Sequence, residues 1–397
     1  MRNKRTLFFS TDFLLSAILC LYAASLYFSN RTVVCATVLM VAAGAALVIY
    51  RTGCGKQKLS RPHPLVYGWL AVYVVRVVWL LFSNNPQNGL RWIDTGLPFI
   101  LFPLLFQYLP WNERILKTVL VFFVRFTWLF CAVTLFTVAW HSIDVPVNMK
   151  EWLLHPKSYP FAYTWTNYDQ PSFLCVIYLM ALPAGLYLKR KYGAVSTVEI
   201  ITLIIVEAAM LAFTGARVGF IILPVLLLWM LFYRISFKRK MVAVGALGIL
   251  AGAMVMALLG WQNQFTDRFK DPARIQLWET AMASIKEKPL LGTGTGGMDA
   301  VIGTPEMTEK IGQTLSYPHN QYLGEVMHFG IIGATALFGT LAYLLVWAFR
   351  KKDFLLQSLL FILFIFMFTE MPLDSHKGIN FFLFFISIFT VSLRFKV

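Results

Sequence analysis

His319-Asn320-Gln321-Tyr322-Leu323-Gly324-Glu325-Val326-Met327-His328-Phe329-Gly330-Ile331-Ile332-Gly333 marks the point where the chain's longest polar stretch, 261–318, runs back into an apolar one. Read as one helix, the step from His319 to Gly330 makes about three turns, so the two residues share a face and Gly333 follows about a turn further on. The histidine then stands about 16 Å above the glycines, near water. Small residues at 330 and 333 let a neighbouring helix approach closely. Two readings follow. One is a reactive imidazole at the mouth of a packed helix bundle. The other is a boundary histidine above two packing glycines, and on this stretch alone it is the simpler one.

Composition decides what surrounds the stretch. Hydrophobic residues make up 58% of the 397, charged residues only 14%, and the mean hydropathy is +0.66. Such a chain is a polytopic membrane protein, not a soluble domain. The aromatic share, 16% with 35 Phe, suits lipid-facing helices and interfacial belts. The five cysteines stand at 20, 35, 54, 131 and 175, with neither a disulfide framework nor metal spacing. The first apolar run reads as an anchor that stays, not as a cleaved signal peptide.

Working outward, apolar runs lie at about 10–29, 33–50, 64–83, 97–109, 118–140, 173–188, 198–213, 218–233, 241–260, 319–349, 354–369 and 379–393. The basic clusters fall on alternate turns: the N-terminus, 51–61, 114–117, 189–191, 234–240, 350–352 and the C-terminus. By the positive-inside rule that side is cytoplasmic. The expectation is one integral membrane domain over 1–397 with about 12 spans and both ends inside. The longer loops, 141–172 and 261–318, are outside, in the periplasm of a bacterium. Much of the net charge of +16 is then topological, and a nucleic-acid partner is not expected. No internal repeat is visible, which counts against inverted-repeat transporters.

Charges inside apolar runs are costly and must face the bundle interior, a cavity or a partner. Arg76, Arg125 and Glu207 are such charges, and fixing helix order explains the two arginines as well as function does. Arg217 differs. It sits in Thr214-Gly215-Ala216-Arg217-Val218-Gly219-Phe220 at the outer end of the seventh span, where the positive-inside rule does not call for it. An arginine there suits a phosphate held by paired hydrogen bonds, or it snorkels to lipid headgroups.

In the outer loop, Asp271-Pro272 reads as a helix start. Leu277, Trp278, Ala281, Met282 and Ile285 then recur at helical spacing. This predicts an amphipathic helix on the membrane surface or roofing a cavity, with Arg274 and Trp278 on one face. Pro289 ends it. The run Leu290-Leu291-Gly292-Thr293-Gly294-Thr295-Gly296-Gly297 lacks the Lys-Ser/Thr of a P-loop and reads as a flexible turn rather than an anion nest. His141, His155 and His376 are scattered, so no required metal and no cofactor is expected.

These pieces together resemble the O-antigen ligases, within the larger group that also holds O-antigen polymerases and bacterial protein O-oligosaccharyltransferases. The likeness rests on His319, Asn320, Gly330 and Gly333; on Arg217-Val218-Gly219-Phe220; and on Arg274, Trp278, Ala281 and Pro289-Leu290-Leu291-Gly292-Thr293-Gly294. The order of parts and the twelve-span layout also fit. The resemblance implies an all-α, GT-C-like membrane fold in the bacterial inner membrane with its active site facing the periplasm. It implies transfer of a glycan from undecaprenyl diphosphate to a sugar hydroxyl of lipid A-core, inverting and without metal. Arg217 and Arg274 would bind the diphosphate and stabilise its charge as it leaves. His319 would act as base on the acceptor hydroxyl or hold it in line. Asn320 would orient His319 or a sugar, Trp278 would line the substrate site, and the apolar bundle would hold the lipid chains. The polymerase is the alternative, with a protein O-oligosaccharyltransferase or a lipid or anion transporter behind it. The modest loop 261–318 is the one departure, and it bears on the acceptor.

Overall fold

The computed structural model describes residues 11–55, 61–144, 171–214, 216, 218–233, 272–312 and 315–392. Among these residues the chain is helical and contains no strand. The elements are α1 (Thr11–Ser25), α2 (Asn30–Gly53), α3 (Pro64–Val78, followed by a 3₁₀ turn Trp79–Phe82), α4 (Pro86–Thr95), α5 (Pro98–Tyr108), α6 (Glu113–Asp144), α7 (Pro171–Leu179), α8 (Ala181–Tyr192), α9 (Thr197–Thr214) and α10 (Gly219–Phe232). After residues 234–271, which are not among those described, come α11 (Pro272–Glu287), α12 (Asp299–Ile302), α13 (Pro305–Ile311), α14 (Gln321–Arg350), α15 (Phe354–Phe366) and α16 (His376–Ser392). Each expected span is occupied by helix except the ninth, which lies outside the described residues. Among the described residues, six stretches are by length and composition able to cross a membrane: 30–53, 64–82, 86–108, 113–140, 171–192 and 321–350. Four further apolar helices, α1, α10, α15 and α16, are shorter. The protein is an all-α polytopic membrane protein.

Among the described residues many phenylalanines are packed inside the bundle rather than forming a lipid-facing coat. Phe381, Phe382, Phe384, Phe385 and Phe389 of α16 are fully buried, as are Phe99, Phe102 and Phe106 of α5. Lipid tails are as apolar as a core, so helices associate in a bilayer through packing rather than exclusion from water. Rings meeting edge to face, such as Phe106 with Phe384 at 5.7 Å and 87°, supply that packing.

The charges in apolar runs divide. Arg76 is fully buried on α3 and Glu207 on α9. Arg125 has instead the partner that such a charge needs: it lies on an exposed face of α6 with 61% of its side chain exposed, paired with Glu199 at 3.4 Å. A long guanidinium stem can place its head at the membrane edge without entering the bundle.

Helix α14 is broken. Gly330 has φ 60° and ψ −175° inside it, and the run after α11 enters the gap. Thr293 N–H donates to Met327 O and Gly294 N–H to His328 O, each at 2.9 Å, while Ile331 N–H donates to Pro289 O at 2.9 Å and Ile332 N–H to Leu290 O at 3.3 Å. Residues 292–298 are buried. The glycine-rich run is therefore a structural insert and not the flexible turn its composition suggests. Backbone of this kind is tolerated at membrane depth only where protein satisfies its polar groups. Gly330 is required twice over: its φ is left-handed, and a Cβ there would stand 2.1 Å from Leu290 O. Gly333 does face another helix, since a Cβ there would meet Val75 and Trp79 at 3.1 Å.

Candidate functional site

The segment around His319 is not helical, and the face shared with Gly330 does not exist. Asn320 caps α14, its Oδ1 accepting from Leu323 N–H at 3.1 Å, as Asn at such a position favours. His319 precedes the cap with φ +50°, a region that costs a non-glycine residue about 1–3 kcal/mol. Its surroundings hold it there. Trp278 Nε1–H donates to Pro318 O at 2.8 Å, and the Tyr317 ring lies 4.3 Å from the imidazole.

The imidazole meets a carboxylate that the sequence did not single out. His319 Nδ1 lies 2.8 Å from Glu370 Oε2. Glu370 stands in the turn between α15 and α16 and is nearly buried. Its other oxygen accepts from Arg274 NH2 at 3.2 Å, and Arg274 NH1 donates to Thr369 O at 2.6 Å. The charge order is thus Arg274, Glu370, His319. The histidine keeps 15% of its side chain exposed and the arginine 28%, so part of each reaches the surface.

Behind this row lies a second cluster. Arg76 NH2 pairs with Asp374 at 2.5 Å and with Glu325 at 3.9 Å, all three side chains being at most 2% exposed. Gln321, the first residue of α14, ties the clusters together. Its N–H donates to Met367 O and Glu370 O, its Nε2 donates to Asp374 at 2.6 Å, and its Oε1 accepts from Leu373 N–H at 3.0 Å. The 370–374 turn is therefore fixed on both flanks. His376 lies past this turn and contacts Thr95 Oγ1 at 3.3 Å.

Of the expected site residues, the structure brings together Arg274, Trp278, His319 and Asn320. Trp278 and Asn320 act here on the backbone around His319. Gly330 and Gly333 lie deeper in α14. Arg217 falls outside the described residues, as do His155 and residues 261–271, the part of the outer loop before α11.

The class is now defined: a polytopic helical membrane protein with a carboxylate-held histidine beside an arginine at one end of the bundle. Residues 200–338 match the family model described as O-antigen ligase, a span that contains α11 and both Arg274 and His319. Through this segment the chain is similar to the O-antigen ligase family. It is also similar to a Haemophilus influenzae protein described only as "Uncharacterized protein", with 27% identity over 172 residues. That match takes in 38% of this chain and 43% of the relative.

Proposed function

We propose that the protein is a membrane glycosyltransferase that moves a glycan from undecaprenyl diphosphate to a sugar hydroxyl of lipid A-core. We place it in the inner membrane, with its ends cytoplasmic and its site on the periplasmic face. The observation that carries the reading is Glu370 held between His319 and Arg274. A carboxylate on Nδ1 selects the tautomer in which Nδ1 carries the proton, leaving the Nε2 lone pair to accept one. The acceptor hydroxyl oxygen attacks the anomeric carbon, the carbon–oxygen bond to the diphosphate breaks, and the hydroxyl proton passes to Nε2. Undecaprenyl diphosphate leaves, and the anomeric centre inverts. Arg274, anchored by Glu370 and Thr369, presents its exposed edge to the diphosphate, and Arg217 supplies a second guanidinium. Stabilising charge on the leaving group is the dominant need, so the reading calls for no metal.

The test is His319→Ala in place of the native gene, with lipopolysaccharide and undecaprenyl-linked glycan separated and sized. Removal of a general base typically lowers the rate 10²- to 10⁴-fold, roughly. The expected result is long glycan accumulating on undecaprenyl diphosphate while lipid A-core stays bare. Lipid A-core carrying one repeat unit, with long chains absent, would assign the polymerase reaction instead. Unchanged lipopolysaccharide would remove His319 from the chemistry.

A further inference from the structure

The roof helix α11 divides into three faces. Leu277, Ala281 and Ser284 are buried against the protein. Glu279, Lys286 and Glu287 are exposed and polar. Between them runs an apolar shoulder that the protein leaves uncovered: Ile275 is 56% exposed, Trp278 36% and Met282 44%. At about 100° per residue these three fall within about 60° of one another on the helix, so they form one stripe.

The stripe continues downward. Leu290 and Leu291, just past α11, are 59% and 39% exposed. The backbone bonds from Ile331 to Pro289 and from Ile332 to Leu290 set them beside the exposed side chains of Ile331 and Ile332 in α14. Those two residues belong to a membrane-crossing helix. They lie about 15 Å along it from its start at Gln321, where an uncovered isoleucine faces acyl chains.

We infer that α11 is seated in the bilayer, with its Ile275–Trp278–Met282 shoulder and Leu290–Leu291 covered by acyl chains of the leaflet on the site's side. The occupant is the lipid and not a protein partner, because the stripe is continuous with the lipid-facing side of α14. The order of faces, protein then apolar then charged, is also that of a helix lying in the interface plane. Trp278 fits this position, with its ring in the stripe and its N–H on Pro318 O. One consequence rests on the function proposed above: Arg274 and His319 are held at headgroup height, so a lipid-linked diphosphate reaches them by moving sideways in the membrane.

The test uses the full chain in nanodiscs of phosphatidylethanolamine and phosphatidylglycerol. Cys35 and Cys54, both exposed, are replaced by Ser. Single cysteines at Ile275, Met282, Leu290, Glu279 and Lys286 are then nitroxide-labelled. Power saturation compares collision with oxygen, which concentrates in acyl chains, and with a water-soluble nickel chelate. The expected result is oxygen-dominated relaxation at 275, 282 and 290, and nickel-dominated relaxation at 279 and 286. Nickel access at 275 and 282 would overturn the inference by placing the stripe in water. Access for neither would overturn it by showing protein cover. The readout does not depend on transfer, so this inference and the enzymatic reading fail separately.

Discussion

Two ionic clusters share one short turn, four residues apart. Glu370 joins His319 and Arg274 with parts of both side chains at the surface; Asp374 joins Arg76 and Glu325 with almost nothing exposed. Both pair a guanidinium with a carboxylate, but the outer cluster alone holds an imidazole and alone reaches solvent. On the function proposed above, a proton acceptor must reach its substrate, and of the two clusters the outer one meets that requirement. A buried ion pair gains little net stability over apolar packing, yet breaking it leaves an uncompensated charge. The inner cluster is therefore an anchor whose loss is expensive, and it fixes the turn on which the outer cluster stands.

Breaking each cluster in turn tests this division. Glu370→Gln keeps the shape but lets the imidazole adopt the other tautomer; transfer by the purified protein should fall by about 10²-fold or more, with the thermal unfolding midpoint near that of the parent. A large loss of stability together with activity would make Glu370 another anchor. Asp374→Asn should do the reverse. It leaves Arg76 poorly paired and should cost about 3–5 kcal/mol of stability, read as a lower midpoint in detergent, while protein that remains folded keeps much of its activity. Equal stability in the two variants would erase the contrast.

Gly330→Ala lies outside both clusters and tests the frame that holds them. The left-handed φ and the overlap with Leu290 O should together cost about 2–4 kcal/mol, and protease cleavage between α11 and α14 should become faster. The smallest expected effect concerns Asp299, at the start of α12. Burial raises its carboxyl to about 6, against smaller opposing effects of the Trp92 bond and the Arg91 charge. The folded chain then binds this proton more tightly than the unfolded chain, whose Asp titrates at about 3.9. Stability should accordingly fall as pH rises from about 4 to about 6, by at most about 3 kcal/mol. Asp299→Asn should flatten that slope, which unfolding midpoints across the window would show.

The helical spans were legible because a bilayer demands long apolar runs, and hydropathy reads them directly. Arg274 and His319 were legible because a short pattern of residue types marks them. Glu370 was not. It sits 51 residues from His319 in the chain, and nothing in local periodicity joins a loop carboxylate to a residue across the bundle. Asp374 was visible as a loop charge, and Arg76 as a charge in an apolar run, but their pairing belongs to tertiary packing. His319 itself was misplaced by helical periodicity: Asn320 takes the cap, and the helix starts one residue later. The glycine-rich run was misread for a related reason. Its composition indicates turns, and only the gap in α14 gives that backbone partners.

The insert also imposes an order on synthesis. Residues 289–294 leave the ribosome before residues 327–332, the segment whose backbone they pair with. Until α14 has been made, the N–H groups of Thr293 and Gly294 have no acceptor at that depth, and a bare peptide group in lipid is too costly to persist. The backbone between the roof helix and α12 must therefore wait in water and slot into place afterwards. The Arg274–Glu370–His319 cluster, whose parts lie on both sides of that joint, is complete only once α14 and the turn after α15 have both been made.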